Sequence, residues 1–253
     1  MGRRGAIGLI GGLAALAAAG AWLVPPIPQD PAYHRLADSR AWLGIPNALN
    51  VLSNAGFLLI GALGLAFVRG GGGRAFREPG ERWPYVVFFG GLLLTGVGSA
   101  YYHWEPGNAR LAWDRLPLAI TLMGLLAATI AERIGVKAAR WLLGPLVAIA
   151  AGSVIYWHWT EQRGAGDLRL YALVQFYPIV AVPLMLWWLA PRYTRGRDLL
   201  AAAATYAAAK APELLDGWIL SATRVVSGHT LKHLLAALAG YWLLRMLRHR
   251  RPA

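Results

Sequence analysis

The sequence has no cysteine. Neither a disulfide framework nor a thiolate metal site can form, so any metal must be held by histidine, carboxylate or water. Charge is scarce as well. Only 15% of the 253 residues are charged, against about 25% in a soluble domain. The deficit is uneven: long apolar runs alternate with short basic clusters, the pattern of a single polytopic membrane domain. Acidic residues are the scarcer sign, with 12 Asp and Glu against 25 Lys and Arg and a formal net charge of +13. The basic residues lie in short connectors, form no continuous patch and have no stacking aromatics between them, which argues against a nucleic-acid partner. Their excess is topological instead.

What remains is apolar: 57% of residues are hydrophobic. Eight apolar spans can be read, at 6–24, 47–68, 84–104, 112–131, 140–158, 170–190, 199–219 and 229–247. Each is close to the ~20 residues that a helix needs to cross the hydrocarbon core, and helices satisfy their backbone polar groups within the segment. The expected fold class is all-α, a polytopic membrane helical bundle. The first span follows Arg3 and Arg4 and ends before Pro25-Pro26. It suits a signal peptide or an uncleaved signal anchor. Its length and the want of a small-x-small cleavage site favour the anchor.

The connectors alternate in charge. Arg69, Arg74, Arg77 and Arg82 follow span two; Arg133, Lys137 and Arg140 follow span four; Arg192, Arg195 and Arg197 follow span six; Arg245, Arg248, Arg250 and Arg251 close the chain. With Arg3 and Arg4 they fall on one side, which the positive-inside rule makes cytoplasmic. Both termini are expected there, in a bacterial inner membrane. The opposite connectors are balanced, with Glu105 and Arg110, then Glu161, Arg163, Asp167 and Arg169.

Against this apolar background five polar residues share one depth in the outer half. Ser99 and His103 close span three, Asp114 opens span four, and His229 and His233 open span eight. Polar and ionisable residues inside a membrane are expensive and commonly functional. His229 and His233 are four apart, so both imidazoles share a helix face, and Ser99 and His103 repeat the relation. Three histidines and a carboxylate form the inventory of a catalytic zinc centre, three ligands plus an activated water. His103, His229 and His233 are the candidate metal ligands. Asp114 is a candidate general base or orienter of the water, as well as a possible helix N-terminal carboxylate. Ser99 is a candidate donor to the oxyanion.

Other polar intrusions read differently. Lys210, Glu213 and Asp216, at i, i+3 spacings in span seven, suit a self-neutralising cluster, with Asp216 placed to support the site. His158, between Trp157 and Trp159, suits an aromatic belt. His34 and His249 lie outside the spans. Asn47, Asn50, Ser53 and Asn54 enter span two at helical spacing and suit interhelical hydrogen bonds.

Gly98-Ser99-Ala100-Tyr101-Tyr102-His103, Asp114-Arg115-Leu116-Pro117 and His229-Thr230-Leu231-Lys232-His233 together resemble the signature of the alkaline ceramidases, within a superfamily of seven-helix membrane hydrolases that includes adiponectin-receptor-like proteins. Asn50 to Phe57 also look like the ceramidase first helix. The resemblance spans about residues 45–247. It implies a seven-helix hydrolase core plus one extra N-terminal helix, with residues 1–46 as anchor helix and outer loop and 47–253 as the seven-transmembrane ceramidase-like domain. It further implies a Zn2+-dependent amidase, with Ser99 and Asp114 catalytic and His103, His229 and His233 on the metal. The substrate would be a ceramide-like or other N-acyl lipid drawn from the bilayer, cleaved to a free fatty acid and a sphingoid-type amine.

Two departures stand out. Only Asp30 and Asp38 occupy the region where eukaryotic members carry an acidic calcium-binding segment, and Asn47 replaces a family glutamate; both argue against regulation by calcium. Arg115 stands where an acidic residue usually follows the Asp, which would alter the headgroup contacts. Two rival readings are a receptor-like or transport protein of this architecture, with a structural zinc and no turnover, and a haem electron carrier with histidines on facing helices.

Overall fold

The computed structural model describes residues 2–70 and 75–253; Arg74, counted above among the connector arginines, lies outside them. Among the described residues there is no β-strand, only two isolated bridges. Eleven α-helices follow one another: α1 Arg3–Leu23, α2 Ala48–Leu52, α3 Ala55–Arg69, α4 Arg82–Trp104, α5 Asn108–Arg133, α6 Val136–Glu161, α7 Arg169–Trp188, α8 Gly196–Ala208, α9 Lys210–Leu214, α10 Asp216–Thr223 and α11 Gly228–His249. The protein is an all-α helical bundle. Helix α5 is its axis: it packs on α4, α6 and α7, while α11 closes the bundle against α3 and α8.

Among the described residues, six segments are long and apolar enough to cross a membrane: α1, α2 with α3, α4 with the short 3-10 turn before it, α5, α6 and α7. Eight were expected, and the last two differ for distinct reasons. Residues 199–219 do not form one helix. The segment breaks at Ala209 and again at Leu215 into α8, α9 and α10. Pro212 lies between the breaks, and a proline cannot donate the backbone bond that a continuous helix needs. Helix α11 is continuous over 22 residues, about 33 Å, but it carries charge. Two of these charges are neutralised within the bundle, Lys232 by Glu213 at 3.0 Å and Arg245 by Asp198 at 2.8 Å.

Helix α1 lies outermost and is largely exposed. It rests on α7, where the Tyr177 hydroxyl donates to the Ile10 carbonyl at 3.0 Å, and Arg169 reaches the Ala21 and Val24 carbonyls. Exposed tryptophans stand near helix ends, among them Trp22, Trp83, Trp104, Trp141, Trp159 and Trp187. That is where interfacial aromatics belong.

The connector arginines do collect at one end. Arg3 donates to the Ile134 carbonyl, Arg192 pairs with Glu78, and Thr194 meets Arg251. A buried ionic knot ties this end together. The Arg250 guanidinium reaches Glu132 at 3.5 Å, the Ala75 carbonyl at 2.7 Å and the Tyr85 hydroxyl at 3.0 Å, while Tyr193 bonds to Glu81.

Two glycines set the opposite end. Pro117 leaves the Trp113 carbonyl without its usual helical donor, and that carbonyl lies against Gly98; any β-carbon at Gly98 would strike it. Helices α4 and α5 thus touch one residue from both Ser99 and Asp114. A β-carbon at Gly228 would strike the Pro212 carbonyl, so the start of α11 is seated on the broken segment.

Candidate metal centre

His103 is the penultimate residue of α4, and His229 and His233 occupy the first two turns of α11. All three are buried, and their ligand atoms lie within 4.8 Å of one another. Ring centroids are 4.6 Å apart for His103 and His229, and 4.8 Å for each with His233. The Nε2 atoms of His103 and His229 approach to 3.1 Å. Two nitrogens on a tetrahedral zinc, each at 2.0–2.1 Å, stand about 3.3 Å apart. The separation therefore suits two ligands of one ion, and the third imidazole closes the face.

The surrounding hydrogen bonds aim these rings. The Ser53 hydroxyl donates to the Asn50 carbonyl at 3.2 Å and lies 2.8 Å from His233 Nδ1. With its proton so used, the hydroxyl accepts from Nδ1–H and leaves Nε2 as the free lone pair of His233. The Asn47 amide donates to the His103 carbonyl at 2.8 Å, satisfying an acceptor that the end of α4 would leave open. The start of α11 is capped by Ser227, which accepts from Thr230 N, and both hydroxyls bond to Asn50 Oδ1. Asp216 accepts the His229 backbone N–H at 2.7 Å.

The polar series of span two thus makes the interhelical bonds expected of it, except Asn54, which bonds within its own segment to Asn50. Asp216 does reach the histidine cluster, through the His229 backbone. The expected triple cluster is nonetheless wrong in its membership. Glu213 pairs with Lys210 at 2.8 Å and with Lys232 at 3.0 Å, while Asp216 bonds to the backbone of His229 and Ala37. The break at Leu215 turns Asp216 away from Glu213.

A cavity of about 580 Å³ opens beside the histidines, with Ser99, Asp114 and His233 in its wall. Asp114 and Ser99 stand in the wall of the same cavity. Phe57, Leu118, Tyr206 and Ala236 are shared with a narrower, almost wholly apolar cavity deeper in the bundle, between Leu92, Leu122 and Leu243. His103 and His229 complete the cluster without lining the large cavity. His158 stands apart, bonded to Gln162. His34 bonds to Tyr102 and Asn108, next to His103 in the chain but outside the triad.

Sequence reasoning missed Ser53 as the partner of a candidate ligand and Tyr33 as part of the wall. Tyr33 comes from the loop before α2, and its hydroxyl faces Glu213 at 3.4 Å. Arg115, expected to alter the headgroup contacts, lines the large cavity and is buried among Tyr33, Trp157 and Tyr171.

No family model matches the chain, and no curated protein matches it. The likeness to the alkaline ceramidases rests on the motif residues themselves.

Proposed function

We propose that the chain is a zinc-dependent intramembrane amidase of the alkaline ceramidase kind, hydrolysing the N-acyl bond of a lipid. The observation that carries the reading is the convergence of three buried imidazoles beside a cavity walled by a carboxylate and a hydroxyl. His103, His229 and His233 would hold the ion. The donor set fits: three neutral nitrogens, one Nε2 pair at tetrahedral spacing, and no competing carboxylate among them. Bound zinc supplies Lewis acidity and lowers the pKa of a water to about 7.

The remaining work falls to residues of the chain. Asp114 takes the proton of the attacking water and returns it to the leaving nitrogen as the C–N bond breaks. The hydroxyl goes to the carbonyl carbon, giving a carboxylic acid, and the proton goes to the amine. Ser99, in the wall of the same cavity, can give its O–H to the carbonyl oxygen as charge develops there. The deeper apolar cavity takes the start of the acyl chain. The path from the bilayer runs past Phe176 and Leu214, which are exposed at the cavity mouth.

A haem reading fits poorly, because the Nε2 atoms of His103 and His229 stand only 3.1 Å apart and leave no room for a macrocycle between them. A receptor or carrier with a structural metal accounts less well for a carboxylate and a hydroxyl in the cavity wall with His233. By the positive-inside rule the arginine-rich end is cytoplasmic and the histidine end faces outward. The test is a lipid-product assay by mass spectrometry on the purified full chain. N-acyl lipids, ceramide among them, should release fatty acid with zinc present and none after chelation. Hydrolysis that persists in a metal-free His229→Ala protein would end the proposal.

A further inference from the structure

Arg115 has an unusual environment. Its side chain is only 6% exposed, yet no carboxylate lies within 4.0 Å of it among the described residues. One terminal nitrogen donates to Gln29 Oε1 at 2.7 Å; the other, Nη1, is buried with no partner. The guanidinium carbon sits over three rings, 4.3 Å from Trp157, 4.8 Å from Tyr171 and 5.6 Å from Tyr33. Gln29 is itself held, by Glu161 on its backbone N–H and by its own amide on the Asp30 carbonyl. The fork is therefore fixed before any ligand arrives, and Arg115, Tyr33 and Tyr171 all line the large cavity.

A buried, unpaired cation is expensive. Aromatic faces offset part of the cost, but they give Nη1–H no acceptor. The other charges of the cavity do not help. Lys210 and Lys232 share Glu213, and Asp114 forms no ion pair with Arg115 within 4.0 Å. Of the three cations in the wall, the buried arginine is the one with no carboxylate within 4.0 Å.

The geometry points to Arg115 as the subsite for an anionic group, carboxylate or phosphate, on the amine half of the N-acyl lipid. This rests on the amidase reading for the word substrate, though not for the site itself. A planar guanidinium matches either oxyanion. The preferred substrate class becomes an N-acyl lipid with an acidic headgroup, ahead of a neutral ceramide.

The test compares three ligands with one acyl chain: N-oleoylglycine, N-oleoylethanolamine and its O-phosphate. Binding is measured by calorimetry on the full chain in nanodiscs after chelation, so that neither turnover nor a metal contributes. At least one anionic ligand should bind about tenfold or more tighter than the neutral amide. Arg115→Met should bring that ligand down to the neutral one and leave the neutral one within about threefold. Lys210→Met should keep the preference.

Equal affinity for all three ligands in the unaltered chain overturns the subsite. So does a preference that survives in folded Arg115→Met, or one that Lys210→Met abolishes. If Arg115→Met fails to fold, the unaltered chain and Lys210→Met still decide. Zinc-dependent turnover without headgroup preference would remove the subsite and leave the amidase. A preference without turnover of any of the three would do the reverse.

Discussion

Replacing Ser53 by alanine separates support of the metal from support of the fold. The hydroxyl lies 2.8 Å from His233 Nδ1 and holds that ring in the tautomer whose Nε2 faces His103 and His229. Losing such a partner costs a metal site about 10–100-fold in affinity, or about 1.4–2.8 kcal/mol. The fold should lose little. Ser53 is half-buried, alanine fits its space, and the Asn50 carbonyl that it served still accepts the Asn54 amide at 2.8 Å. Zinc affinity is read by competition against a chelator of known strength, on the full chain in nanodiscs, with the apo thermal midpoint as control. Ser53→Ala should fall within the 10–100-fold window at an unchanged apo midpoint, and Ser53→Thr should restore affinity to within about threefold. An unaltered zinc affinity in Ser53→Ala would refute the proposed aiming of His233.

Four further outcomes follow from other contacts. Asp114→Asn should keep zinc by elemental analysis but lose at least about 100-fold in turnover; equal loss of metal would demote Asp114 to a structural role. Gly98→Ala drives a β-carbon into the Trp113 carbonyl and should cost about 1–3 kcal/mol, read as a lower thermal midpoint with reduced turnover. Arg250→Met leaves Glu132 and Tyr85 without their buried partner and should cost about 3–5 kcal/mol; because the knot lies at the far end, the zinc affinity of the folded fraction should not change. Asp38 lies in the loop before α2, and its hydrogen bonds from Arg40 hold its carboxyl below the ordinary carboxylate range. That stability is present above the unfolded pKa near ~3.9 and is lost as pH falls through the lower folded value, so acid should lower the midpoint of the unaltered chain more than that of Arg40→Gln.

The bundle was legible because long apolar runs can do little else than form helices, and the basic connectors did gather at one end. The three histidines were legible because His229 and His233 are one turn apart and His103 shares their depth. The break in span seven was not, since Lys210, Glu213 and Asp216 read as a charge cluster on one continuous helix and only Pro212 marks the break. Ser53 was read as a generic interhelical donor; its partner His233 lies 180 residues away, and no local pattern encodes such a pairing. The aromatic cage of Arg115 escaped for the same reason, being assembled from the loop before α2, α5, α6 and α7. The Arg250 knot looked like surface charge because it sits among other arginines, and only packing shows that its partners Glu132 and Tyr85 are buried.

The account depends on one cation shared by His103, His229 and His233. X-ray absorption at the zinc edge of the purified full chain tests that most directly. The expected spectrum shows one zinc per chain with three imidazole nitrogens at about 2.0–2.1 Å, a signal lost in His233→Ala. A zinc coordinated by fewer imidazoles, or a spectrum unchanged by that substitution, would contradict it.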